Sequence, residues 1–340
     1  AAVDTIERSR DAAGSSTTGD AMNRRGFIGA GMAGGMLTGA AGAASQAPAQ
    51  WGTHEGPPFL ERNQSGKPHK GKMLAVIQPH NDDVPLFAAG TVLKLIDEGY
   101  EGVLIRATND DHAGRGSTYA EVIANNEQDN FEVARRMGLR QVFDLGYQNH
   151  RLDDAHPIEL RARLIFIFRA LKVNTVVCYD PWGHYEENPD HYVIASAVEA
   201  ACWMSGGRWD FPEHRLAGLD PHGVGEKYYF ARGPQLVNRV VDISSYVDRK
   251  VDVNIANDTQ GPAGVNGSRL RRRLAEQGRK LPVLGDDDDT ANRQYIKEFV
   301  LDNDRQLGRE FGVDYAEKFH YIGPRPSKLD GYIERNAVSI

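Results

Sequence analysis

Short apolar runs alternate with segments of helical periodicity from residue 72 onward. Runs that are short and rich in β-branched residues predict buried strands, whereas apolar residues three and four positions apart predict helices. Strands are therefore expected at 73–77, 102–108, 141–145 and 174–179, and helices at 86–99, 119–138 and 158–172. This alternation predicts an α/β fold in which a mostly parallel sheet carries helices on both faces.

The chain beyond residue 202 has weaker periodicity. Residues 261–292 are rich in glycine and charge, which predicts a surface insertion. The acidic run 286–289 lacks the alternating ligand spacing and central glycine of a calcium loop, which favours a solvated acidic turn over a calcium site. The remaining elements are expected as strands at 227–230 and 238–244 and as helices at about 245–258 and 293–311.

The first fifty residues have the composition of a targeting segment. Paired arginines at 24–25 precede an uncharged Gly/Ala/Met/Leu stretch that ends in small residues, which is the order of a secretory signal. The arginines followed by Gly-Phe-Ile resemble a twin-arginine signal, although a chance Arg-Arg before a linker is the alternative. Cleavage is expected near Ala47 or Ala49 and a natural start at Met22, so the mature protein would be periplasmic or extracellular.

The remaining chain is expected to contain one main domain at 72–325, after an extended segment at 51–71 and before a tail at 326–340. Its composition is that of an ordinary globular protein, 40% hydrophobic and 26% charged. The net charge of −7 gives no electrostatic reason to expect a nucleic-acid partner. No transmembrane span is expected in the mature chain, and two cysteines permit at most one disulfide.

Candidate chemistry is concentrated in the sequence "QPHNDDVP", which follows the first strand. One aspartate here could cap the next helix, but that does not explain His80 beside both Asp82 and Asp83. A second segment, "DPWGHYEENPDHYV", brings His191 to the end of the strand at 174–179. Ligands of such sheets bind beyond the carboxyl ends of the strands, so both segments are expected to meet there.

Imidazole and carboxylate groups together form the ligand set of catalytic zinc, which keeps one position open for water. His80, one of the two aspartates and His191 would supply three ligands, and the other aspartate could take a proton from the water. Metal activation makes such a water able to attack an amide carbonyl. The pattern predicts a hydrolytic metal site, with structural histidines and aspartates as the alternative.

Two motifs resemble those of the PIG-L/LmbE-like de-N-acetylase family. "PHNDD" is similar to the family motif "AHPDD", and "NPDHYVIASAV" to "HPDH" followed by a helix. Residues 240–260 and 312–322 also resemble family segments, so the likeness covers about 72–323 apart from the insertion. The resemblance implies a Rossmann-like sheet and zinc-dependent removal of acetyl groups from N-acetylated sugars and related amides.

The resemblance also implies residue roles. His80, Asp83 and His191 would be the metal ligands, Asp82 the general base, and Asp190 an orienting group. Zinc is the expected cofactor, although two imidazoles and one carboxylate also accommodate other divalent transition metals.

Two positions depart from the family motifs. Asn81 replaces a proline, which alters the stiffness of the turn and no ligand. Asn188 replaces a histidine that would stabilise the oxyanion or donate a proton. An asparagine amide can donate a hydrogen bond to an oxyanion but cannot act as an acid. His184 or Tyr185 in the same loop is then expected to protonate the leaving amine.

Loops after the second and third strands offer polar groups for substrate hydroxyls. The candidate substrate-binding residues are Asp110, Asp111, Arg115, Asn149, Arg151 and Trp182. Trp182 could instead pack beside its neighbouring proline. The loops also contain His112, His150 and Asp153.

The leading hypothesis is an exported zinc amidase that deacetylates an N-acetylated saccharide or glycoconjugate, in an unknown oligomeric state. The alternative is a catalytically silent carbohydrate-binding protein, which Asn188 favours and the retained Asp82 disfavours. A nucleotide-binding oxidoreductase is disfavoured because the first strand leads into two carboxylates and not into a glycine-rich turn.

Overall fold

An eight-stranded sheet lies at the centre of the protein, in strand order β1-β7-β8-β6-β5-β2-β3-β4. The structure, a computed structural model, describes residues 56–324 and 328–339, which belong to one compact unit, Trp51–Ile340. The predicted signal segment and its cleavage positions lie outside the described residues. The strands are β1 (Phe59–Glu61), β2 (Met73–Gln78), β3 (Glu101–Thr108), β4 (Val142–Tyr147), β5 (Val173–Tyr179), β6 (Glu226–Phe230), β7 (Arg239–Asp242) and β8 (Ala316–Ile322).

Helices flank this sheet and connect most of its strands. They are α1 (Asp83–Phe87), α2 (Ala89–Asp97), α3 (Tyr119–Met137), α4 (Pro157–Leu171), α5 (Pro189–Met204), α6 (Glu213–Leu216), α7 (Val247–Ala256), α8 (Asn266–Glu276), α9 (Asp288–Tyr295), α10 (Asp302–Glu310) and α11 (Lys328–Asn336). Strand β8 runs antiparallel to β6 and β7, and the other pairings are parallel. The predicted α/β class with a mostly parallel sheet is confirmed.

The central strands are buried because helices cover both sides of the sheet. All six residues of β2 are buried, and β5 is buried except at its second position. Leu74 and Ile77 are fully inaccessible, and each such side chain stabilises the fold by about 1.5–3 kcal/mol through loss of apolar contact with water. Cys178 and Cys202 are buried free thiols.

Four elements differ from the sequence predictions. The helix expected at 86–99 begins earlier, at Asp83, and is divided at Ala88, whose φ of −145° is not helical. The extended segment at 51–71 contributes the edge strand β1, and the tail contains α11. The helix expected at 293–311 is interrupted by a π-type turn at Ile296–Val300, and Leu301 after it is buried against the core around α7.

The predicted insertion at 261–292 contains helix α8 and the beginning of α9. A Cβ at Gly267 would lie 2.1 Å from the Ala291 carbonyl oxygen, so glycine permits the close contact between these helices. In the acidic run, the Asp287 carboxylate accepts the Thr290 backbone N–H at 2.8 Å and caps α9. Asp288 forms an ion pair with Arg271 at 2.5 Å. These carboxylates therefore have structural partners in a solvated turn.

Strands β2 and β5 are adjacent and parallel, with Ala75 opposite Val176. Their carboxyl ends therefore lie at the same edge of the sheet. The turn that follows β2 carries His80, Asp82 and Asp83, and the loop that follows β5 leads into α5 with His191. The topology thus brings the two predicted motifs together. Among the described residues, none of the helices has the length and apolar character needed to cross a bilayer.

Candidate active site

His80, Asp83 and His191 converge at the carboxyl edge of β2 and β5. They are only 3–5% exposed, which removes them from bulk water. His80 Nδ1 lies 3.1 Å from His191 Nε2 and 3.3 Å from Asp83 Oδ2. The His191 Nε2 to Asp83 Oδ1 distance is 3.5 Å. The three side chains therefore present two ring nitrogens and one carboxylate to a common point, and together they could hold a metal ion.

The spacing of these atoms fits a small divalent cation. Metal–ligand bonds of about 2.0–2.1 Å in a tetrahedral site place neighbouring ligand atoms about 3.3 Å apart. The two ring nitrogens lie 3.1 Å apart, and each faces a different oxygen of the Asp83 carboxylate, at 3.3 Å for Oδ2 and 3.5 Å for Oδ1, so all three distances lie close to that value. The donor set of two imidazoles and one carboxylate is also one that binds zinc and other divalent transition metals. The residues present therefore fit the cofactor that the motifs predict.

Asp190 orients His80 from the side away from this point. Its Oδ2 lies 3.0 Å from His80 Nε2, which directs Nδ1 of the same ring towards the other ligands. The carboxylate is itself fixed, since it accepts backbone N–H groups of His150 at 2.6 Å and Leu152 at 3.0 Å. A carboxylate behind a ligating histidine is a common arrangement in metal sites, where it fixes the ring and its tautomer.

Tyr179 and Glu186 also contact the cluster, and the sequence analysis missed both. The Tyr179 hydroxyl donates to Asp83 Oδ1 at 2.7 Å, and its ring stacks on His191 with a centroid distance of 4.2 Å. Glu186 Oε1 lies 3.1 Å from His191 Nδ1 and is paired with Arg232 at 2.7 Å. Tyr179 ends β5 at the carboxyl edge, and this position was a signal for its role. Glu186 carried no comparable signal among the acidic residues of its loop.

The cluster has strongly shifted proton affinities. Burial opposes a charge on His80, but hydrogen bonds to Asp190 and Asp83 outweigh it and raise the pKa of His80 well above its ordinary value. Burial would raise the pKa of Asp83, yet His191 and His80 lower it to about 2. The two carboxylates thus favour a positive charge at this point, as either a protonated His80 or a bound cation.

Asp82 has the opposite shift. Burial raises the pKa of Asp82 to about 7, and the negative charge of Asp83 adds to the effect. Burial also raises the pKa of Asp110 to about 6, although His80 and Arg106 oppose that rise. Asp82 and Asp83, which are neighbours in the turn, therefore differ widely in proton affinity. This pattern is typical of sites in which one group carries charge and the other transfers a proton.

Asn188 occupies the N-cap of α5. Its Oδ1 accepts the Asp190 backbone N–H at 3.0 Å, and Pro189 follows at the first helical position. This arrangement leaves the amide Nδ2 as the group able to donate to a substrate. His184 is exposed, and Tyr185 is 90% exposed with a φ of +58°. Both project from the surface of the loop after β5 and not from its buried side.

The candidate substrate-binding residues divide into two groups. Asp110, Asp111 and Asn149 are buried, and Arg115, Arg151 and Trp182 are exposed.

The buried group is held by internal contacts near the cluster. Asp110 Oδ2 accepts from Arg106 at 3.2 Å, and Asp111 Oδ1 accepts the Asn149 backbone N–H at 3.0 Å. The Asn149 amide is 1% exposed, and neither of its polar atoms has a hydrogen-bond partner among the described residues.

The exposed group lies in the loops that follow β3, β4 and β5. Arg115 forms an ion pair with Asp258, and Arg151 approaches Asp154 to 3.5 Å. The ring centroids of Trp182 and His320 lie 5.3 Å apart, so Trp182 packs against β8. The Trp182 side chain is nevertheless 41% exposed. A cavity of about 350 Å³ lies beside Arg115 and is lined by Gly116, Asn125, Gln128, Asp129, Asp258 and Thr259.

Comparison with known proteins agrees with this geometry. Residues 75–202 match the PIG-L family of GlcNAc-PI de-N-acetylases. The matched region runs from within β2 to near the end of α5, and it therefore contains both motifs. A diacetylchitobiose deacetylase of Thermococcus kodakarensis is 28% identical over 204 residues, which are 57% of this chain and 72% of the relative. These similarities support the expectation that the chain is a de-N-acetylase hydrolase.

Solved structures share the fold at lower identity. The N,N′-diacetylchitobiose deacetylase of Pyrococcus horikoshii has a TM-score of 0.60 and 22% identity, covering 74% of this chain and 84% of its own. The 4-carboxy-2-hydroxymuconate hydratase GalB of Pseudomonas putida has a TM-score of 0.53 and 16% identity, covering 76% of this chain and 98% of its own. Because a hydratase shares this fold, the fold alone does not determine the reaction.

Proposed function

We propose that this protein is an exported, zinc-dependent de-N-acetylase that removes an acetyl group from an N-acetylated saccharide or glycoconjugate. The observation that carries the proposal is the spacing of 3.1–3.5 Å between the ligand atoms of His80, Asp83 and His191, with the second carboxylate of Asp82 in the same turn. The substrate class is supported by the similarity to a diacetylchitobiose deacetylase.

His80, Asp83 and His191 would hold the cation, with Asp190 and Tyr179 fixing two of them in place. When bound, a divalent cation in such a site polarises a carbonyl and lowers the pKa of a water molecule. Burial of the ligands excludes bulk water, which strengthens each of these electrostatic interactions.

Asp82 is the proposed general base. A base works best when its pKa lies near the working pH, and the Asp82 pKa of about 7 meets this condition. Asp83 cannot replace it, because its carboxylate already contacts both histidines and Tyr179. The two neighbouring aspartates therefore divide the work into holding a cation and accepting a proton.

Asn188 and His184 are proposed for the later part of the reaction. The Asn188 Nδ2 amide would donate to the oxyanion, since its Oδ1 is used by the helix cap. Because an amide cannot protonate the leaving amine, His184 would do so from the same loop. The six candidate substrate-binding residues are proposed to contact the sugar: Asp110, Asp111, Arg115, Asn149, Arg151 and Trp182.

The first test measures acetate release from N-acetylated mono- and disaccharides, including N,N′-diacetylchitobiose. The mature protein is assayed as purified, after chelation and after addition of zinc. Release that is lost with the chelator and restored by zinc is the expected result. No release by zinc-loaded protein across the panel would contradict the proposed reaction and favour a carbohydrate-binding role, with Asn188 as the position responsible.

A pair of variants tests the role of Asp82. Asp82→Asn is expected to abolish turnover while zinc content stays at the wild-type level, because the variant lacks the proton acceptor but keeps all three ligands. Asp220→Asn makes the same change at an exposed aspartate between α6 and β6 and is expected to retain turnover. Unchanged turnover in Asp82→Asn would refute the assigned role. Export is tested separately, by fractionation of cells that carry the wild-type or an Arg24→Lys/Arg25→Lys leader.

A further inference from the structure

The segment Asp258–Gly261, here called the strap, passes directly against the carboxylate of Asp82. A Cβ placed on Gly261 would lie 2.6 Å from Asp82 Oδ2 and 2.9 Å from Asp82 Cβ. Side chains do not approach one another this closely, so the Gly261 backbone forms one wall of the space that Asp82 occupies. Gly261 also has a φ of +81°, a conformation that residues with a side chain rarely adopt.

Helix α3 and the loop before it hold the strap in this position. The Gln260 side chain donates from Nε2 to Asn126 Oδ1 at 2.9 Å. The Thr259 backbone N–H donates to Asp129 Oδ2 at 2.6 Å. Asp258 is paired with Arg115. Three consecutive residues of the strap are therefore anchored immediately before Gly261, which restricts where the glycine can lie.

Asn126 is a rigid anchor because it is fully buried and bonded on every side. Its Nδ2 donates to the backbone carbonyls of Ala113 at 2.8 Å and Val122 at 3.0 Å. Its Oδ1 also accepts from Asn81 Nδ2 at 3.2 Å. Asn81 lies between His80 and Asp82, so one buried side chain connects the turn that carries Asp82 with the strap that passes over it.

Asn81 strengthens this connection in a way that a proline could not. Its Oδ1 accepts from Arg106 Nη1 at 3.0 Å, while its Nδ2 donates to Asn126. A proline at this position has no side-chain donor or acceptor. The asparagine thereby ties the Asp82 turn to β3 through Arg106 and to α3 through Asn126.

We propose that the strap fixes the orientation of the Asp82 carboxylate, and that Gly261 is the positioning residue that sets it. The proposal rests on the proposed role of Asp82 as the general base. A base must hold its carboxylate oxygen within hydrogen-bond reach of the proton that it accepts, and a displacement of about 1 Å can cost about 100-fold in rate. The contact of Gly261 with Asp82 limits such displacement without touching the three candidate ligands.

The test compares Gly261→Ala with Gly218→Ala. Gly218 has a φ of +80°, almost equal to that of Gly261, and nothing lies within 4 Å of its Cβ position. Both variants introduce the same backbone strain, but only Gly261→Ala displaces Asp82. Acetate release from N,N′-diacetylchitobiose, zinc content and thermal unfolding are measured for each variant in the full mature chain.

Gly261→Ala is expected to lower kcat by about 10- to 100-fold with little change in KM or zinc content. Gly218→Ala is expected to keep the wild-type kcat. Gln260→Ala releases the strap from Asn126 without adding atoms, and it is expected to lower kcat by a smaller factor. This variant replaces Gly261→Ala in the test if Gly261→Ala does not fold. Equal kcat values for the Gly261 and Gly218 variants, or a loss of zinc in Gly261→Ala that accounts for its lower rate, would overturn the proposal.

The Asp82→Asn variant separates this inference from the proposed function. If Asp82→Asn is inactive and Gly261→Ala is fully active, the base assignment stands and the positioning role is refuted. If Asp82→Asn remains active, the base assignment fails and the positioning role fails with it.

Discussion

Removal of one hydroxyl group from Tyr179 tests the proposed metal site with a very small structural change. In Tyr179→Phe the ring that stacks on His191 remains, and only the hydrogen bond of 2.7 Å to Asp83 Oδ1 is lost. The carboxylate then has one fewer group to fix it in the orientation that faces both histidines. We therefore expect weaker zinc binding without a change in the ligand set.

Two independent magnitudes set the size of the effect. A hydrogen bond to a charged acceptor is worth about 1.5–3 kcal/mol. Loss of a group that orients a metal ligand typically costs about 10- to 100-fold in metal affinity or activity, which corresponds to about 1.4–2.8 kcal/mol. Because the two ranges overlap, the zinc Kd of Tyr179→Phe is expected to rise by about 10- to 100-fold.

Competition with a chromophoric chelator measures this Kd, and Tyr228→Phe is the matched control. Tyr228 is 5% exposed, and its hydroxyl donates to Glu61 Oε2 at 3.1 Å, away from the three candidate ligands. The Tyr228→Phe control is expected to have a lower free energy of unfolding than the wild type but the same zinc Kd. A wild-type Kd in Tyr179→Phe, or an equal rise in both variants, would refute the reasoning.

Two further predictions concern stability. Burial would raise the pKa of Glu61, but ion pairs with Lys94 at 2.7 Å and with a neighbouring arginine lower it below its ordinary value of 4.5. A carboxyl group with a lowered pKa stabilises the fold at pH values above 4.5, and this contribution is lost as the pH falls through the folded-state pKa. In urea titrations, the loss of stability in Glu61→Gln should therefore be largest at neutral pH and smaller in acid. A loss that does not depend on pH would contradict this. Lys250 is fully buried, and its Nζ lies 2.7 Å from Glu317 Oε1. Lys250→Met should therefore lower the free energy of unfolding by about 3–5 kcal/mol. The loss should be near the lower limit because the Glu317 carboxylate still accepts two backbone N–H groups. The exposed ion pair of Lys280 and Asp286 provides the control, since Lys280→Met should cost at most about 1 kcal/mol in the same titration. Equal losses in the two variants would refute the argument from burial.

The sequence predicts the central sheet well because the relevant signals are local. The apolar runs that form β2 and β5 are short, buried and β-branched, and their alternation with helices leaves few possible arrangements. The edge strand β1 was not predicted, because three residues are too short to show a period and their register depends on pairing with β7. Sequence patterns therefore identify the buried central strands more readily than the strands at the edge of the sheet.

The same distinction applies to the site. The sequence groups His80 and His191 with one of two aspartates because their segments follow strands of one sheet, and the family resemblance selects Asp83 as the ligand. The contact between Gly261 and Asp82 joins residues far apart in the chain, and no periodicity or motif signals it. The burial of Asp110 likewise depends on Arg106, so the sequence indicates that this loop is polar but not which of its residues face a substrate.

The energetic cost of the cluster favours catalysis over silent binding. Asp82 and Asp83 place two carboxyl groups in one buried turn, and burial together with the Asp83 charge raises the pKa of Asp82, which is a destabilising interaction at neutral pH. Replacement of Asp82 by asparagine would relieve that repulsion and keep all three candidate ligands. In the absence of a bound cation, the substitution is therefore expected to raise the free energy of unfolding at neutral pH. An aspartate at this position is what the proposed role as proton acceptor requires, and the Asp82→Asn variant tests that role.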